Sequence, residues 1–276
     1  MRLISFSKDG RWWPAVQRGN QIVEIGGSES ASPQDLLRSV LLGQPFREGA
    51  THSAADVTLG LPIPNPGKIV CLGLNYVDHA KEGGNPIPDY PAIFLRATSS
   101  LIAHGQPLLR PSCSDKFDYE AELAIVIGKP ARHVTEADAL SHVFGYACFN
   151  DGSVRDYQRK STQWTIGKNF DGTGAFGPWV VTSDELPAGA KGLRIACRYN
   201  GETMQDGNTS DMIFPIARTI AILSEAMTLE PGDVIITGTP AGVGYARKPP
   251  VFLRAGDVSE VEIEGIGTLR NPVIDA

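Results

Sequence analysis

The chain has 276 residues, with 42% hydrophobic residues, 20% charged residues and a formal net charge of −6 at pH 7. These values are ordinary for a soluble globular protein with a large core, and the acidic balance argues against nucleic acid or an anionic membrane as a partner. No apolar run approaches the roughly eighteen residues of a membrane span. The first residues also lack the long apolar segment of a signal peptide.

The cysteines are scattered and form no C-x-x-C pair, and three of them lie in apolar segments that resemble strands. Dispersed thiols of this kind are typical of reduced core residues in a protein that is not exported. We therefore expect a cytoplasmic protein. The four residues are Cys71, Cys113, Cys148 and Cys197.

Residues 1–64 predict a small α+β domain. Ser32 and Pro33 are typical of a helix start, and a helix is expected over 34–42. Because prolines punctuate the segment 61–67, we place the domain boundary there and assign 65–276 to a second, larger domain. The expected strands of the small domain are 2–6, 14–17 and 21–25.

A candidate general-base pair follows the apolar strand expected at 68–73. Asn75 is expected to cap a short helix that carries His79 and Glu82, three residues apart. Side chains at this spacing can touch, and a carboxylate that orients an imidazole raises its basicity. The alternative is that His79 is exposed near Glu82 and that the pair has no function.

The segment 118–127 carries acidic residues and then becomes an apolar run, which predicts a strand that enters the core. Glu120 and Glu122 should point the same way, with Cα atoms about 7 Å apart, and Asp118 lies on that face too. A second strand expected at 145–149 ends at Asp151. Its carboxylate could reach the same place.

Three converging carboxylates indicate a cation site. Buried carboxylates without partners are costly, so they are neutralised by protonation, a basic group or a metal. Oxygen ligands without histidine or cysteine suit Mg²⁺, Mn²⁺ or Ca²⁺. Taken alone, the Glu-x-Glu pattern also allows a strand face that is exposed to solvent.

Basic residues follow the third carboxylate. A helix here would place Arg155 and Gln158 on one face, and an arginine suits the binding of a carboxylate. Arg159 and Lys160 are expected to lie on the solvent-exposed surface. Lys168 stands alone among apolar and glycine residues, so it either extends to solvent or reaches an anion in a pocket.

The last third of the chain predicts packing elements and one glycine-rich turn. Asn200-Gly201 is typical of a hairpin, and an amphipathic helix is expected to begin at Thr209. The turn after residue 236 matches neither a Walker A loop nor a dinucleotide-binding fingerprint. It still offers backbone N–H groups and the hydroxyls of Thr237 and Thr239 to an anion.

Several motifs in a fixed order resemble the fumarylacetoacetate hydrolase family, in particular a two-domain bacterial member related to acylpyruvases and 2,4-diketo-3-deoxy sugar acid hydrolases. The similarity runs from about residue 68 to residue 269, and the small domain also looks like that of bacterial members. The motifs are GLNYVDH (73–79), DYEAEL (118–123), NDGSVRDYQ (150–158), WTIGK (164–168), GDVIITGTPAGVG (232–244) and LRAGD (253–257).

The resemblance implies an α+β fold in which a large mixed β-roll holds the metal in its mouth, next to the small N-terminal domain. It also implies a homodimer with Mg²⁺ or Mn²⁺ bound. The implied roles are metal ligands for Glu120, Glu122 and Asp151, catalysis for His79, Glu82 and Lys168, and substrate binding for Arg155, Gln158 and Thr239.

We therefore expect a metal-dependent hydrolase that cleaves a C–C bond in a 2,4-dioxo acid and releases pyruvate. Decarboxylation of oxaloacetate, or hydration or isomerisation of unsaturated 2-oxo acids, would use the same site. A binding module with a structural Ca²⁺ and no turnover is a third possibility. The loops 169–176 and 245–250 are expected to line the variable end of the substrate.

Overall fold

The computed structural model describes residues 1–26, 31–84 and 86–276. Within these ranges no helix is long and apolar enough to cross a membrane. The fold is a strand-rich α+β one with mixed sheets, as the sequence predicts.

The strands are β1 (Arg2–Lys8), β2 (Arg11–Arg18), β3 (Gln21–Gly26), β4 (Arg47–Ser53), β5 (Leu59–Gly60), β6 (Ile69–Gly73), β7 (Ala92–Leu95), β8 (Leu101–Ile102), β9 (Leu108–Arg110), β10 (Phe117–Asp118), β11 (Ala121–Ile127), β12 (Val143–Asp151), β13 (Ser153–Val154), β14 (Gly174–Thr182), β15 (Arg194–Tyr199), β16 (Glu202–Asn208), β17 (Val234–Ile236), β18 (Val258–Ile263) and β19 (Gly267–Asp275). The α-helices are α1 (Pro33–Leu41), α2 (Val77–Glu82), α3 (Glu136–Ala139), α4 (Arg155–Gln158), α5 (Thr165–Lys168) and α6 (Ile216–Ala226).

A large mixed sheet forms the frame of the molecule. Its main path runs in the order β4-β3-β2-β1-β14-β12-β11-β17-β6-β7, and β5 and β8 pair at its side. Strands β11 and β12 lie antiparallel near its centre, and every residue of β11 is buried. The backbone N–H of Asp151 donates to the carbonyl of Glu120 over 2.9 Å. This register brings the end of β12 to the start of β11.

A second sheet packs on the first and closes the core of the roll. Its order is β16-β15-β18-β19-β9, with only β19 and β9 parallel. Apolar residues of β11 share one buried cluster with those of β15 and β18, for example Leu123 with Ile195 and Val261. The hairpin expected at Asn200-Gly201 joins β15 to β16.

The N-terminal unit contains the expected three strands and the expected helix. The Ser32 side chain accepts from the Asp35 N–H, and the Asp35 carboxylate accepts from the Ser32 N–H, which is a capping box. The strand β4 was not expected, because its sequence REGATHS is mostly exposed and carries no apolar alternation. The division at residues 64/65 stays a prediction, since β1 pairs with β14 and one sheet spans both parts.

Two expected elements are corrected by the structure. The acidic strand is interrupted: β10 pairs with β13 and β11 pairs with β12, while Tyr119 and Glu120 lie between them. The last long helix begins at Ile216 rather than at Thr209. Proline fixes its own φ and disfavours helix at the residue before it, so Pro215 sets the start of α6.

Candidate active site

Three buried carboxylates converge where β11 and β12 meet. One oxygen each of Glu120, Glu122 and Asp151 lies within 4.8 Å of the other two. All three side chains are almost fully buried, so the alternative of a strand face in solvent is excluded. The grouping follows from the register, because Ala121 pairs with Asn150 and the acids flank that pair.

The surroundings of Glu120 and Glu122 shift the pKa values of these two residues in opposite directions. Burial would raise the pKa of Glu120, but the charges of Arg155 and Lys168 outweigh it and lower the pKa to about 2. Burial raises the pKa of Glu122 well above its usual range, and the charges of Asp151 and Glu120 add to this. Glu122 accepts a hydrogen bond from the Gly238 N–H over 2.5 Å.

Lys168 lies beside the carboxylates, in reach of two of them. Its Nζ donates to Glu120 Oε2 over 2.6 Å and to Asp151 Oδ2 over 2.5 Å. Burial would lower the pKa of Lys168, but the charges of Asp151 and Glu120 outweigh it and raise the pKa. The short helix α5 places this ammonium inside the protein, so the interpretation as a lysine that extends to solvent is wrong.

Arg96 is a buried member of the cluster that the sequence analysis did not assign. Its Nη1 donates to Asp151 Oδ1 over 2.5 Å, and Nη2 donates to Thr173 Oγ1 over 3.0 Å. Its Nε donates to Ser100 Oγ over 3.2 Å. The only available signal was a lone arginine at the end of the apolar strand β7.

The donor set fits a divalent cation. Within the described ranges Glu122 has no basic partner, whereas Glu120 and Asp151 each contact two cationic side chains. Three carboxylates offer hard oxygen ligands in one place, and a cation would neutralise the one that lacks a base. The structure therefore supports a metal site at Glu120, Glu122 and Asp151, without specifying which ion it prefers.

Arg155 is held by acidic side chains of the protein itself. Its Nε donates to Asp118 Oδ2 over 2.8 Å, and Nη2 lies 2.7 Å from Glu120 Oε1 as an ionic contact without hydrogen-bond alignment. Its Nη1 donates to Gln158 Oε1 over 3.0 Å, which confirms that both residues share one face of α4. Because two carboxylates neutralise Arg155, its positive charge is largely used within the protein.

The two threonines of the glycine-rich turn have intramolecular partners. The Thr237 hydroxyl donates to the Leu123 carbonyl over 2.9 Å. The Thr239 hydroxyl donates to the Ala121 carbonyl over 2.8 Å and accepts from Gln205 Nε2 over 2.7 Å. Thr239 still lines the cavity, whereas Thr237 does not.

His79 and Glu82 form the expected pair on α2. The His79 Nδ1 lies 3.0 Å from Glu82 Oε1. Both oxygens of Glu82 accept from the Gly242 N–H, over 3.1 and 3.0 Å, so the carboxylate is fixed against the glycine-rich turn. A carboxylate held in this way fixes the tautomer and the direction of the imidazole.

Asn75 does not cap α2, which is a correction. The helix begins after Tyr76, and the side chain of Asn75 is buried. Its Nδ2 donates to the carbonyls of Phe214 (3.2 Å) and Thr237 (2.7 Å), and its Oδ1 accepts from the Phe214 N–H (2.7 Å). Asn75 therefore ties the start of α2 to two other segments of the chain.

One cavity of about 380 Å³ brings these groups together. Eight of the nine predicted site residues line it, and Glu82 lies behind His79. A Cβ at Gly73 would lie 2.0 Å from Trp164, so glycine lets the indole close one wall. The cavity is lined by Leu72, Gly73, Leu74, His79, Gly83, Phe94, Glu120, Glu122, Asp151, Arg155, Gln158, Arg159, Trp164, Lys168, Thr239 and Tyr245.

Of the two loops predicted to line the variable end of the substrate, one reaches the cavity in the part of the chain that the structure describes. Tyr245 of the second loop lines the cavity. The loop 169–176 contributes no lining residue among the described ones; Asn169 instead donates to the carbonyls of Leu95 and Thr165. Arg159 is exposed, as expected, and its side chain also lies at the cavity.

Comparisons with known proteins agree with this geometry. The family profile described as fumarylacetoacetate (FAA) hydrolase C-terminal matches residues 68–274. The chain belongs to the fumarylacetoacetate hydrolase family. It is 46% identical to the human protein named oxaloacetate tautomerase FAHD2A, mitochondrial, over 99% of this chain and 92% of that protein. It is 40% identical to the protein named oxaloacetate tautomerase fahd2, mitochondrial, from Xenopus laevis, over 99% and 90%.

Solved structures show the same fold over the whole chain. The fumarylacetoacetate hydrolase of Exiguobacterium antarcticum superposes with a TM-score of 0.86 at 37% identity, covering 100% of both chains. A Mycobacterium smegmatis structure described as 5-carboxymethyl-2-hydroxymuconate delta-isomerase gives 0.82 at 33% identity, also over 100% of both chains. The chain is therefore an enzyme, and its relatives include both isomerases and hydrolases.

The expected cytoplasmic location is wrong. The human and Xenopus laevis relatives are named as mitochondrial proteins. The expectation rested on cysteines that stay reduced, and Cys71, Cys148 and Cys197 are indeed buried and free. Free thiols are typical of a reducing compartment but do not separate one reducing compartment from another.

Proposed function

We propose that this enzyme interconverts the keto and enol forms of oxaloacetate, with a divalent cation bound by Glu120, Glu122 and Asp151. The observation that carries the proposal is that the oriented His79 faces the same cavity as the three carboxylates. The names of relatives that are 40–46% identical over nearly the whole chain support this reaction.

Enolisation moves one proton within the substrate. With its Nδ1–H donated to Glu82, His79 carries its lone pair on Nε2 and can remove a proton from C3 of oxaloacetate. The C–H electron pair then forms the C2=C3 double bond, and the electrons of the C2=O bond move to the oxygen. Return of the proton to that oxygen completes the enol. The reverse sequence gives the keto form.

The surrounding groups stabilise the negative charge that develops on the 2-oxo oxygen. A divalent cation held by the three carboxylates would supply positive charge there, and Mg²⁺, Mn²⁺ and Ca²⁺ all accept such oxygen ligands. Lys168 carries a full charge beside Glu120 and Asp151. The oxygen of the Gln158 side chain accepts from Arg155, so its amide N–H groups are directed to other acceptors and can donate to the substrate.

Hydrolysis of a C–C bond in a 2,4-dioxo acid such as an acylpyruvate, a fumarylpyruvate-like acid or a diketo-deoxy sugar acid is the second candidate. A specific observation favours it: a histidine oriented by a carboxylate can take a proton from water as readily as from carbon. The solved relative from Exiguobacterium antarcticum is named a hydrolase. Water would attack the distal carbonyl, and the bond between C3 and C4 would break to release pyruvate.

The test compares three reactions on one preparation of the enzyme. Conversion of enol-oxaloacetate to the keto form is followed by ultraviolet absorbance, and pyruvate release is followed from oxaloacetate and from acetylpyruvate. We expect EDTA-sensitive tautomerisation that falls by about 100-fold or more in His79→Asn. Pyruvate release from oxaloacetate that survives in His79→Asn would instead indicate decarboxylation. Faster turnover of acetylpyruvate than of oxaloacetate would favour the hydrolase.

We also propose that the enzyme is a homodimer, as the resemblance implies. Several large apolar side chains are exposed close together in sequence, namely Ile87, Tyr90, Ile93 and Leu95. Such side chains are often covered by a partner. Light scattering coupled to size-exclusion chromatography should give about twice the chain mass of 29.6 kDa. A mass equal to one chain would contradict the homodimer.

A further inference from the structure

The cavity contains one arginine whose charge is not neutralised by the protein. Lys168 contacts Glu120 and Asp151, and Arg155 contacts Asp118 and Glu120. Within the described ranges no carboxylate lies within 4.0 Å of the Arg159 side-chain nitrogens. Arg159 is therefore the basic lining residue that is available to an anionic ligand.

The position of Arg159 is set by the helix and by an aromatic ring. The Arg159 N–H donates to the Arg155 carbonyl over 3.2 Å at the end of α4. Its guanidinium carbon lies 4.4 Å from the centre of the Tyr245 ring. The Tyr245 backbone N–H donates to Asp118 Oδ2 over 2.9 Å, which holds the backbone of Tyr245 in place. A guanidinium that stacks on an aromatic ring keeps the N–H groups at its edge free for a carboxylate.

Several other groups that line the cavity are unsuited to a second carboxylate of a substrate. Glu120, Glu122 and Asp151 would repel it, and the apolar side chain of Phe94 would remove its water without providing a hydrogen bond. Repulsion and desolvation on these walls direct a distal negative charge toward Arg159.

We propose that Arg159, positioned by Tyr245, binds the distal carboxylate of the substrate and makes the enzyme selective for 2-oxo dicarboxylates over 2-oxo monocarboxylates. The assignment rests on the proposed function for the position of the 2-oxo end at the three carboxylates. It adds a subsite for the opposite end of the molecule. The substrate class is then a short 2-oxo acid with two carboxylates.

The test measures the binding of two probes to the Mn²⁺-loaded enzyme by calorimetry. Oxalate occupies the 2-oxo-acid end alone, whereas 3,3-difluoro-oxaloacetate adds the distal carboxylate and cannot enolise. We expect Arg159→Gln to lower the affinity for difluoro-oxaloacetate about 10-fold, because a charge-assisted hydrogen bond at an open cavity mouth is lost. Oxalate affinity should not change. Arg159→Lys should retain part of the affinity for the dicarboxylate.

Lys160→Gln is the matched control, because it removes the same charge from the next residue. Lys160 lies over the ring of Tyr157 and does not line the cavity. If Lys160→Gln lowers the affinity for difluoro-oxaloacetate as much as Arg159→Gln does, the effect comes from overall charge. The proposed subsite at Arg159 is then wrong. An equal loss for both probes in Arg159→Gln would also overturn it.

The binding experiment separates this inference from the proposed reaction. If the wild-type enzyme binds both probes with the predicted dependence on Arg159 but does not tautomerise oxaloacetate, the proposed reaction fails and the subsite stands. If tautomerisation is fast but Arg159→Gln binds difluoro-oxaloacetate as the wild type does, the reaction stands and the subsite fails.

Discussion

Arg96 and Asp151 form a fully buried ion pair, with Nη1 of the guanidinium 2.5 Å from Oδ1 of the carboxylate. The other side-chain nitrogens of Arg96 donate to Thr173 and Ser100, so its orientation is fixed from three sides. Arg96 contacts one oxygen of Asp151, and the other oxygen accepts from Lys168. Arg96 would thus orient a proposed metal ligand without being a ligand itself.

Loss of this pair should weaken metal binding. Groups that orient the ligands of a metal typically change its affinity about 10- to 100-fold when they are removed. We expect Arg96→Met to raise the dissociation constant for Mn²⁺ by that factor and Arg96→Lys to raise it less. Calorimetric titration with Mn²⁺ measures this directly. Unchanged affinity in a folded Arg96→Met protein would show that Asp151 does not depend on Arg96.

The pair formed by His79 and Glu82 should affect turnover more than metal binding. Glu82→Gln keeps an oxygen that can accept from the Gly242 N–H but removes the charge that favours a basic imidazole. We expect kcat to fall about 10-fold while the Mn²⁺ affinity stays within a factor of two, since Glu82 is not a ligand. A loss of Mn²⁺ affinity as large as the loss of kcat would contradict a catalytic role.

Asn75 should contribute strongly to stability. The hydrogen bonds of its side chain are all to backbone groups, two of them at Phe214 and one at Thr237. Asn75→Ala leaves these groups without partners, which we expect to cost about 3 kcal/mol in the free energy of unfolding. Urea denaturation monitored by circular dichroism measures this. The exposed Asn65→Ala serves as control and should change stability by less than about 0.5 kcal/mol.

The stability of the protein should depend on pH through His104. Burial lowers the pKa of His104 from its ordinary value of 6.5, and the charge of Arg270 adds to this. The His104 Nδ1 accepts from the Arg270 N–H over 3.1 Å, which requires this nitrogen to be unprotonated. Because the unfolded state binds the proton more readily, stability is complete above about pH 6.5 and declines as the pH falls through the lower native pKa.

His104→Asn tests this dependence, because an asparagine oxygen can accept the same hydrogen bond and does not titrate. We expect the difference in unfolding temperature between pH 7.5 and pH 5.5 to be smaller in His104→Asn than in the wild type. An identical pH dependence in both proteins would show that other groups account for it.

The sequence predicted the carboxylate site because it depends on local patterns. Strand alternation places Glu120 and Glu122 on one face, and a second strand brings Asp151 to them. Helical spacing likewise predicts the contact between His79 and Glu82. In both cases residue type and spacing predicted which side chains could meet, and the resemblance supplied their roles.

The features that could not be predicted from the sequence depend on contacts between segments that are far apart in the chain. Arg96 is 55 positions from Asp151, and nothing in β7 indicates where its arginine points. The ion pairs of Arg155 with Asp118 and Glu120 were not predicted either, and its role in substrate binding stays a prediction. From the sequence, Arg159 could not be distinguished from other surface arginines. The structure shows its contact with the Tyr245 ring.

The most direct test of the account is the stoichiometry and affinity of Mn²⁺ binding in the wild type and in Glu122→Gln. Glu122 is the proposed ligand without a basic partner in the part of the chain that the structure describes. We predict one ion per chain in the wild type and an affinity lowered at least 100-fold in Glu122→Gln, with the unfolding temperature in EDTA as the control for an intact fold. Equal stoichiometry and affinity in the two proteins would contradict the metal site and the mechanism built on it.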